Sequence, residues 1–328
     1  MSLRKSFAVL CILNLFAPSA QAAAPADVVA QVNSELSADS VLLSHWTTSQ
    51  MKNVIPFNST SGNVVPSQLK LFGFEVGVEG VVSSTKIDVN GLHSLPTTLV
   101  DTHSIDMFSR MPFPMVLAHA KIGLPFGFDG GVRLGGIPSK EITKDSSTFK
   151  VKNKVFGLDL RKKLIDEGAL KPFGLTLGLN YTHADGSIDI TDTYDSLSTT
   201  INGHTASVSN GMTTEHADWK TNSVGLQAIL DKKIIFITPY IGASVNSNSG
   251  DIHNSITTTG IPVVDGVADP TQPILGTGSS TEKANKWDVR ALLGLEFTLF
   301  PFLKLGLHGE YAGSKNSAAA IGLRVQFH

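Results

Sequence analysis

Residues 287–297 read Trp287-Asp288-Val289-Arg290-Ala291-Leu292-Leu293-Gly294-Leu295-Glu296-Phe297. Trp287, Val289, Ala291, Leu293, Leu295 and Phe297 fall on one parity, and Asp288, Arg290, Gly294 and Glu296 on the other. A period of two is the signature of a strand with an apolar face and a polar face. The same pattern runs through Phe72–Val82, Val116–Ile122, Phe126–Leu134, Phe156–Leu160, Phe173–Tyr181, Val224–Leu230, Ile235–Val245, Leu303–Tyr311 and Ala319–Phe327. That makes ten strands of about ten residues, the length that crosses a bilayer when tilted.

Two properties of the rows separate a lipid-facing sheet from a soluble sandwich. The apolar row holds no charge, and Lys or Arg on a lipid face at mid-depth costs about 2–4 kcal/mol. The polar row is rich in glycine, for example Gly77, Gly131, Gly157, Gly178 and Gly225. Small residues suit the inside of a closed sheet, where side chains converge. Aromatics sort by strand end: Phe74, Phe126, Phe173, Phe302 and Phe327 lie near short connections, and Tyr181, Trp287 and Tyr311 near long ones. Trp219 has inward parity, which calls for a bulge or a loop position. The connections 89–114, 138–151, 185–218 and 248–284 are polar and read as loops. The expected fold is all-β, a closed antiparallel transmembrane barrel of ten strands, or twelve if 54–66 or 97–108 adds a hairpin.

The chain of 328 residues divides into three parts. Residues 1–22 read as a signal peptide: Arg4 and Lys5, an apolar run from Phe7 to Phe16, then Ala20-Gln21-Ala22. Residues 23–69 read as a short periplasmic helix, capped by Asp27 with Val28, Val29, Val32 and Leu36 on one stripe, followed by a linker from Asn53 to Gln68. A plug is the alternative for this segment. Residues 70–328 form the barrel. Net charge is −2, which excludes a nucleic-acid footprint. The single cysteine, Cys11, excludes a disulfide framework and a Cys-ligated metal.

The inward row carries Glu75, Glu79, Asp129, Asp159, Asp288, Glu296 and Glu310 against Lys121, Arg133, Arg161, Arg290, Lys304 and Arg324, with His119 and His308 beside them. Near-balance predicts an ion-paired lumen with at most a narrow path. No metal or cofactor is expected: the ten histidines are scattered, and Asp189, Asp192 and Asp195 do not follow Ca²⁺-loop spacing.

The exported N-terminus, the alternating strands and the aromatic Phe327 one place before the end resemble single-chain bacterial outer-membrane β-barrel proteins, most of all uncharacterised ones. The resemblance covers 71–328 and is architectural. It implies outer-membrane location, contact with outer-membrane lipids, and recognition of Phe327 by the barrel assembly machinery. It implies a non-enzymatic role, structural or as a narrow conduit for small solutes or lipids; oligomeric state is left open. A loop-mediated adhesin or receptor is one alternative. The other is a surface hydrolase like the ten-stranded omptin proteases, for which Asp101/His103, His183/Asp185 and Asp251/His253 are the rim candidates.

Overall fold

A computed structural model describes residues 26–62, 64–66, 69–105, 109–144, 146–167 and 171–327. The signal-peptide reading therefore lies outside the described residues. Among the described residues twelve strand segments occur: β1 (Phe74–Lys86), β2 (Arg110–Leu124), β3 (Phe128–Lys144), β4 (Ser147–Ile165), β5 (Gly174–Ile201), β6 (His204–Asp231), β7 (Ile237–Val264), β8 (Val267–Ala268), β9 (Ile274–Lys283), β10 (Trp287–Phe300), β11 (Leu303–Ala312) and β12 (Asn316–Phe327). All pairings are antiparallel. β1 to β7 pair in sequence, β10 to β12 likewise, and β12 pairs with β1. β7 also pairs with β10, from Ile237↔Phe297 to Ser247↔Trp287, so the hydrogen-bonded order returns to its start through ten strands. The remaining two segments, β8 and β9, pair with the far part of β7. Neither 54–66 nor the described part of 97–108 supplies a strand.

One end of the ring carries short turns, and the other departs from expectation. β5, β6 and β7 each contain 28 residues, about 90 Å of extended chain. The stretches read as polar loops, 138–151, 185–218 and 248–284, are largely ladder that projects past the ring. Their Thr and Ile content favours strand. Their tips, Asn202-Gly203 (φ 51° and 85°) and Asp265-Gly266 (φ 49° and 81°), are the residues a tight two-residue hairpin turn prefers. At the short-turn end the equivalent place between β6 and β7 is filled by Ile235-Phe236, closed by Ile234 N to Ile237 O at 2.7 Å. Ile235 has φ 55°, which costs a β-branched residue about 1–2 kcal/mol.

Helix α1 (Ala26–Thr60) corrects a second expectation. It has 35 residues, about 52 Å, and lies at the long-hairpin end, not at the short-turn end. Val28, Val29, Val32 and Leu36 pack on Ile201, Ala206, Val208, Val264 and Ile274 at the hairpin tips. Its next turns run along β9. Leu275 N donates to Asn33 Oδ1 at 2.9 Å and Thr277 N to Ser37 Oγ at 3.2 Å. Four helical residues rise about 6 Å and two strand residues about 6.7 Å, so side chains at i and i+4 meet alternate edge N–H groups. Gly276 and Gly278 permit the approach: a Cβ there would come within 2.5 Å of Leu36 Cβ and 2.3 Å of the Ser40 backbone. Pro56 does not end the helix. It has no N–H for Lys52 O, and that carbonyl accepts from Asn285 N at 2.9 Å instead.

Buried Asp39 holds the 94–101 connection to the helix, accepting from the N–H groups of Thr98, Leu99 and Val100 at 2.7–2.9 Å. Further along, Glu215 of β6 accepts from Asn254 Nδ2 at 2.7 Å and meets Thr47 of α1. Burial raises its carboxyl above the usual carboxylate range, and the charge of Asp192 adds to the rise. The docked state thus binds this proton more tightly than the undocked state. Helix docking strengthens as pH falls through the interval just above 4.5, and the penalty is fully present once pH exceeds the raised value. Glu215→Gln should abolish this dependence and slow amide exchange of residues 44–55 at neutral pH. A variant whose exchange keeps the wild-type pH profile would contradict the assignment.

Candidate functional site

The outward parity is exposed around the ring: Val78, Val116, Leu134, Leu226, Ile241, Val289, Leu293 and Ile321 are all more than half exposed. On the side of the projecting strands this belt has a sharp upper limit. Leu158, Tyr181, Val224, Ser247 and Trp287 form one cross-strand row. Four residues beyond it Lys154, Asp185, Lys220, Asp251 and Lys283 stand in register across five strands, all exposed and alternating in sign. Opposite charges side by side on a sheet face stabilise modestly and require water.

Inside, the inward row assembles two clusters. Toward the short turns, Glu75 sits among His119 Nε2 (3.3 Å), Lys121 Nζ (3.3 Å) and Arg324 Nη1 (3.2 Å). Glu296 meets Lys304 Nζ at 3.0 Å and Arg324. Asp159 pairs with Arg161 Nε at 3.3 Å, and buried Asp129 lies opposite Arg161 in register. Toward the long hairpins, Arg290 Nη1 meets Glu310 at 2.7 Å and its Nε meets Asp288 at 2.7 Å. His308 Nδ1 lies 3.2 Å from Glu79. The glycines of this row are the floor on which long side chains lie. A Cβ on Gly77 would strike the His119 ring at 2.6 Å, and one on Gly157 the Arg133 Nε at 2.4 Å. Buried charges of both signs are tolerable because they are paired.

The N-terminal segment enters this lumen. α1 ends at Thr60 with no basic residue in its last turn, so the negative end of its dipole and its last carbonyls need partners. The ring supplies them. Arg133 Nη2 reaches Ser59 O at 3.4 Å, and its Nη1 reaches Ser61 O and Gly62 O at 3.5 Å. Arg290 contacts Thr60 Oγ1 and Ser61 Oγ, with its guanidinium 4.3 Å above the Phe57 ring. Gly62 N donates to Glu310 Oε1 at 2.7 Å. Beyond it Tyr240 donates to Val64 O at 2.6 Å, and Arg161 to Val65 O at 2.6 Å. Val64 rests on Ile229, Tyr240 and Leu292. The chain leaves at the short-turn end, where Gly73 N bonds Lys70 O and Phe72 N bonds Gly123 O before β1 begins. A cavity of about 30 Å³ remains beside the strap, bordered by Thr60, Arg133, Arg161, Arg290 and Glu310, room for a water or two.

The lumen residues read from sequence are thus brought together, and Phe327 stacks on Phe74 at 4.9 Å at the short-turn end. Leu292 and Ile229 were missed because they are apolar on the polar parity, a departure from alternation that marks where the strap docks. Trp219 needs neither bulge nor loop. It points inward, donates to Asn153 Oδ1 at 3.2 Å and packs with Met51 of α1. The rim pairs are not assembled into one cleft. Asp101 and His103 are exposed, 3.8 Å apart; His183 bonds Asn222 at 2.9 Å; Asp251 meets Lys283; and His253 bonds Thr281 at 3.0 Å. Asp189 contacts His216 and Asp192 contacts Ser147, and among the described residues no group of His, Cys, Asp and Glu is arranged to hold a metal ion. No helix among the described residues is long and apolar enough to cross a membrane.

These features define a class: an antiparallel sheet closed on itself, apolar outside, charged within, with its own N-terminal segment in the lumen. The chain belongs to a family of unknown function, DUF6588, whose model matches residues 103–327. No curated protein matches it. Among solved structures it is similar to the outer membrane protease OmpT from Escherichia coli, at 10% identity and TM-score 0.41 over 81% of this chain and 100% of that one. It is also similar to an outer membrane channel from Pseudomonas putida F1 (8%, TM-score 0.35, 81% and 100%) and to the attachment invasion locus protein Ail of Yersinia pestis (9%, TM-score 0.27, 79% and 99%).

Gly62 has φ +93°, and a Cβ there would lie 3.0 Å from both Leu117 and Val81. Gly62→Val should loosen the strap by about 1–3 kcal/mol. Amide exchange of 56–66 should quicken at least about tenfold while β10–β12 stay protected. Uniform loss of protection would instead mean that strap and ring unfold together.

Proposed function

We propose that this protein is a non-enzymatic bacterial outer-membrane β-barrel of ten strands, closed at rest by its own residues 56–66. In this reading the uncharged belt meets hydrocarbon, and closure leaves no edge that lipid cannot satisfy. The observation that carries it is the grip of Arg133, Arg290, Glu310, Tyr240 and Arg161 on the strap. Eight strands enclose a lumen just filled by side chains, and open porins use sixteen or more. A ten-stranded lumen that also takes in a polypeptide strap has no open path. With the strap withdrawn it becomes a narrow conduit with both signs of charge on its wall, suited to small polar solutes. In planar bilayers the full protein should give a flat trace, and deletion of 26–66 should give steady conductance. A folded deletion variant that stays silent would leave the structural role alone.

A second reading, a surface-binding module, is favoured by the paired and helix-braced projections of β5, β6 and β7, which make a fixed platform where loops were expected. Both readings share one orientation. The short turns and Phe327 face the periplasm, and the long hairpins face outward with the start of α1. Because Cys11 is the sequence's single cysteine, residues 23–328 offer no competing thiol. Ala26→Cys should react with a membrane-impermeant maleimide on intact cells, as should Asn202→Cys at a hairpin tip. Labelling of Asn202→Cys but not Ala26→Cys would overturn the placement of α1, and labelling of neither would overturn the orientation.

A further inference from the structure

The short-turn end spends backbone strain to display apolar side chains. Phe72, Phe126 and Ile235 hold φ of 63°, 64° and 55°, the left-handed region that bulky residues avoid. They are nonetheless 75%, 87% and 84% exposed, and Ile234 and Phe236 beside Ile235 are more than half exposed. The opposite end of the same sheet provides the internal comparison. There the tight turns are Asn202-Gly203 and Asp265-Gly266, which take this backbone readily and are polar. Ile235-Phe236 occupies a turn of the same length with a β-branched residue at its positive-φ position, and in water it would gain nothing in exchange.

Charge at this end is also one-sided. Lys70, Lys171, Lys232 and Lys233 are exposed, and Lys162 lies 4.7 Å over the Phe128 ring. The acids that accompany them are Asp166 and Glu167, the latter already accepting from Lys233 N at 2.8 Å; Asp231 is buried against Lys163. The apolar tips are continuous with the belt through Phe74, Phe173, Phe302 and Phe327. Apolar side chains interleaved with ammonium groups, adjoining a lipid-facing surface, match the boundary between acyl chains and anionic headgroups.

We infer that the short-turn end is a binding surface for anionic phospholipid of the leaflet it faces, with Phe72, Phe126 and Ile235-Phe236 seated in the acyl boundary and the lysines on headgroup phosphates. This rests on the membrane-barrel reading, and the test separates the two. The full protein carrying a fluorophore at Ile235→Cys is placed in vesicles of phosphatidylethanolamine and phosphatidylglycerol, then exposed to a lipid-borne or an aqueous quencher. Leu226→Cys, in the belt, and Asn202→Cys, at the far tip, are the controls. The lipid-borne quencher should dominate at 235 and 226, and the aqueous one at 202. Aqueous quenching at 235 with lipid quenching at 226 overturns the inference and leaves the barrel standing; aqueous quenching at 226 overturns the barrel.

Headgroup choice is read by native mass spectrometry, as phosphatidylglycerol retained relative to phosphatidylcholine. Lys171→Gln, Lys232→Gln and Lys233→Gln should each lower that ratio, by up to roughly fivefold per lysine. Lys150→Gln, Lys152→Gln and Lys154→Gln, at the other end, should leave it unchanged. An equal fall in both sets means non-selective charge and counts against the site. The double variant Ile235→Gly, Phe236→Asn installs glycine at the one positive-φ position and a polar residue beside it, so it should fold while retaining less lipid of either kind. Undiminished retention would refute the seating of these tips.

Discussion

In the proposed membrane setting a backbone amide has no water to turn to, and the ladder between β7 and β10 answers that constraint for the whole molecule. Without those pairs, two rows of N–H and C=O groups would face lipid. With them, every strand of the ring has two neighbours, and side-chain polarity is free to sort by parity. Apolar residues face out, as that setting requires. Charged residues face in because only other protein groups can solvate them: most cations meet a carboxylate, and Arg133 meets the strap carbonyls and Thr182.

The same logic governs the strap. A helix terminus placed in a lumen brings unsatisfied carbonyls and a partial negative charge, so it belongs beside guanidinium groups. Arg133 and Arg290 fill that need, since the last turn of α1 has no basic residue of its own. Glu310, the carboxylate partner of Arg290, then holds the next residue by accepting from Gly62 N. The polar lumen and the N-terminal segment are mutually dependent parts of one packed interior.

The membrane-facing portion was legible because the contrast between lipid and lumen forces strict alternation, and the row of Val289, Leu293 and Leu295 against Arg290, Gly294 and Glu296 preserves it. Alternation fails where that contrast ends. In the projections, water lies on one face and α1 on the other, and Ser, Thr and Ile satisfy both, so Thr257–Thr259 reads as loop by composition although it is strand. The Asn202-Gly203 and Asp265-Gly266 turns were the available signal. The length of α1 was obscured by Pro56, whose missing donor matters only if the orphaned Lys52 carbonyl lacks a partner, and Asn285 provides one from a distant segment. The outward course of the helix leaves no periodic trace, since the stripe from Val28 to Leu36 specifies burial and not against what.

Residues 56–62, 64–66 and 69–73 lie in turn from one mouth of the ring to the other before the first strand begins. The polypeptide is therefore threaded through a loop made of itself. An α-helix with its side chains is about 10–12 Å wide, too bulky to be drawn through a lumen already packed with paired charges. With α1 folded, the last seam of the ring, whichever strands form it, has to close around this segment, so the connectivity itself dictates a chronology for biogenesis.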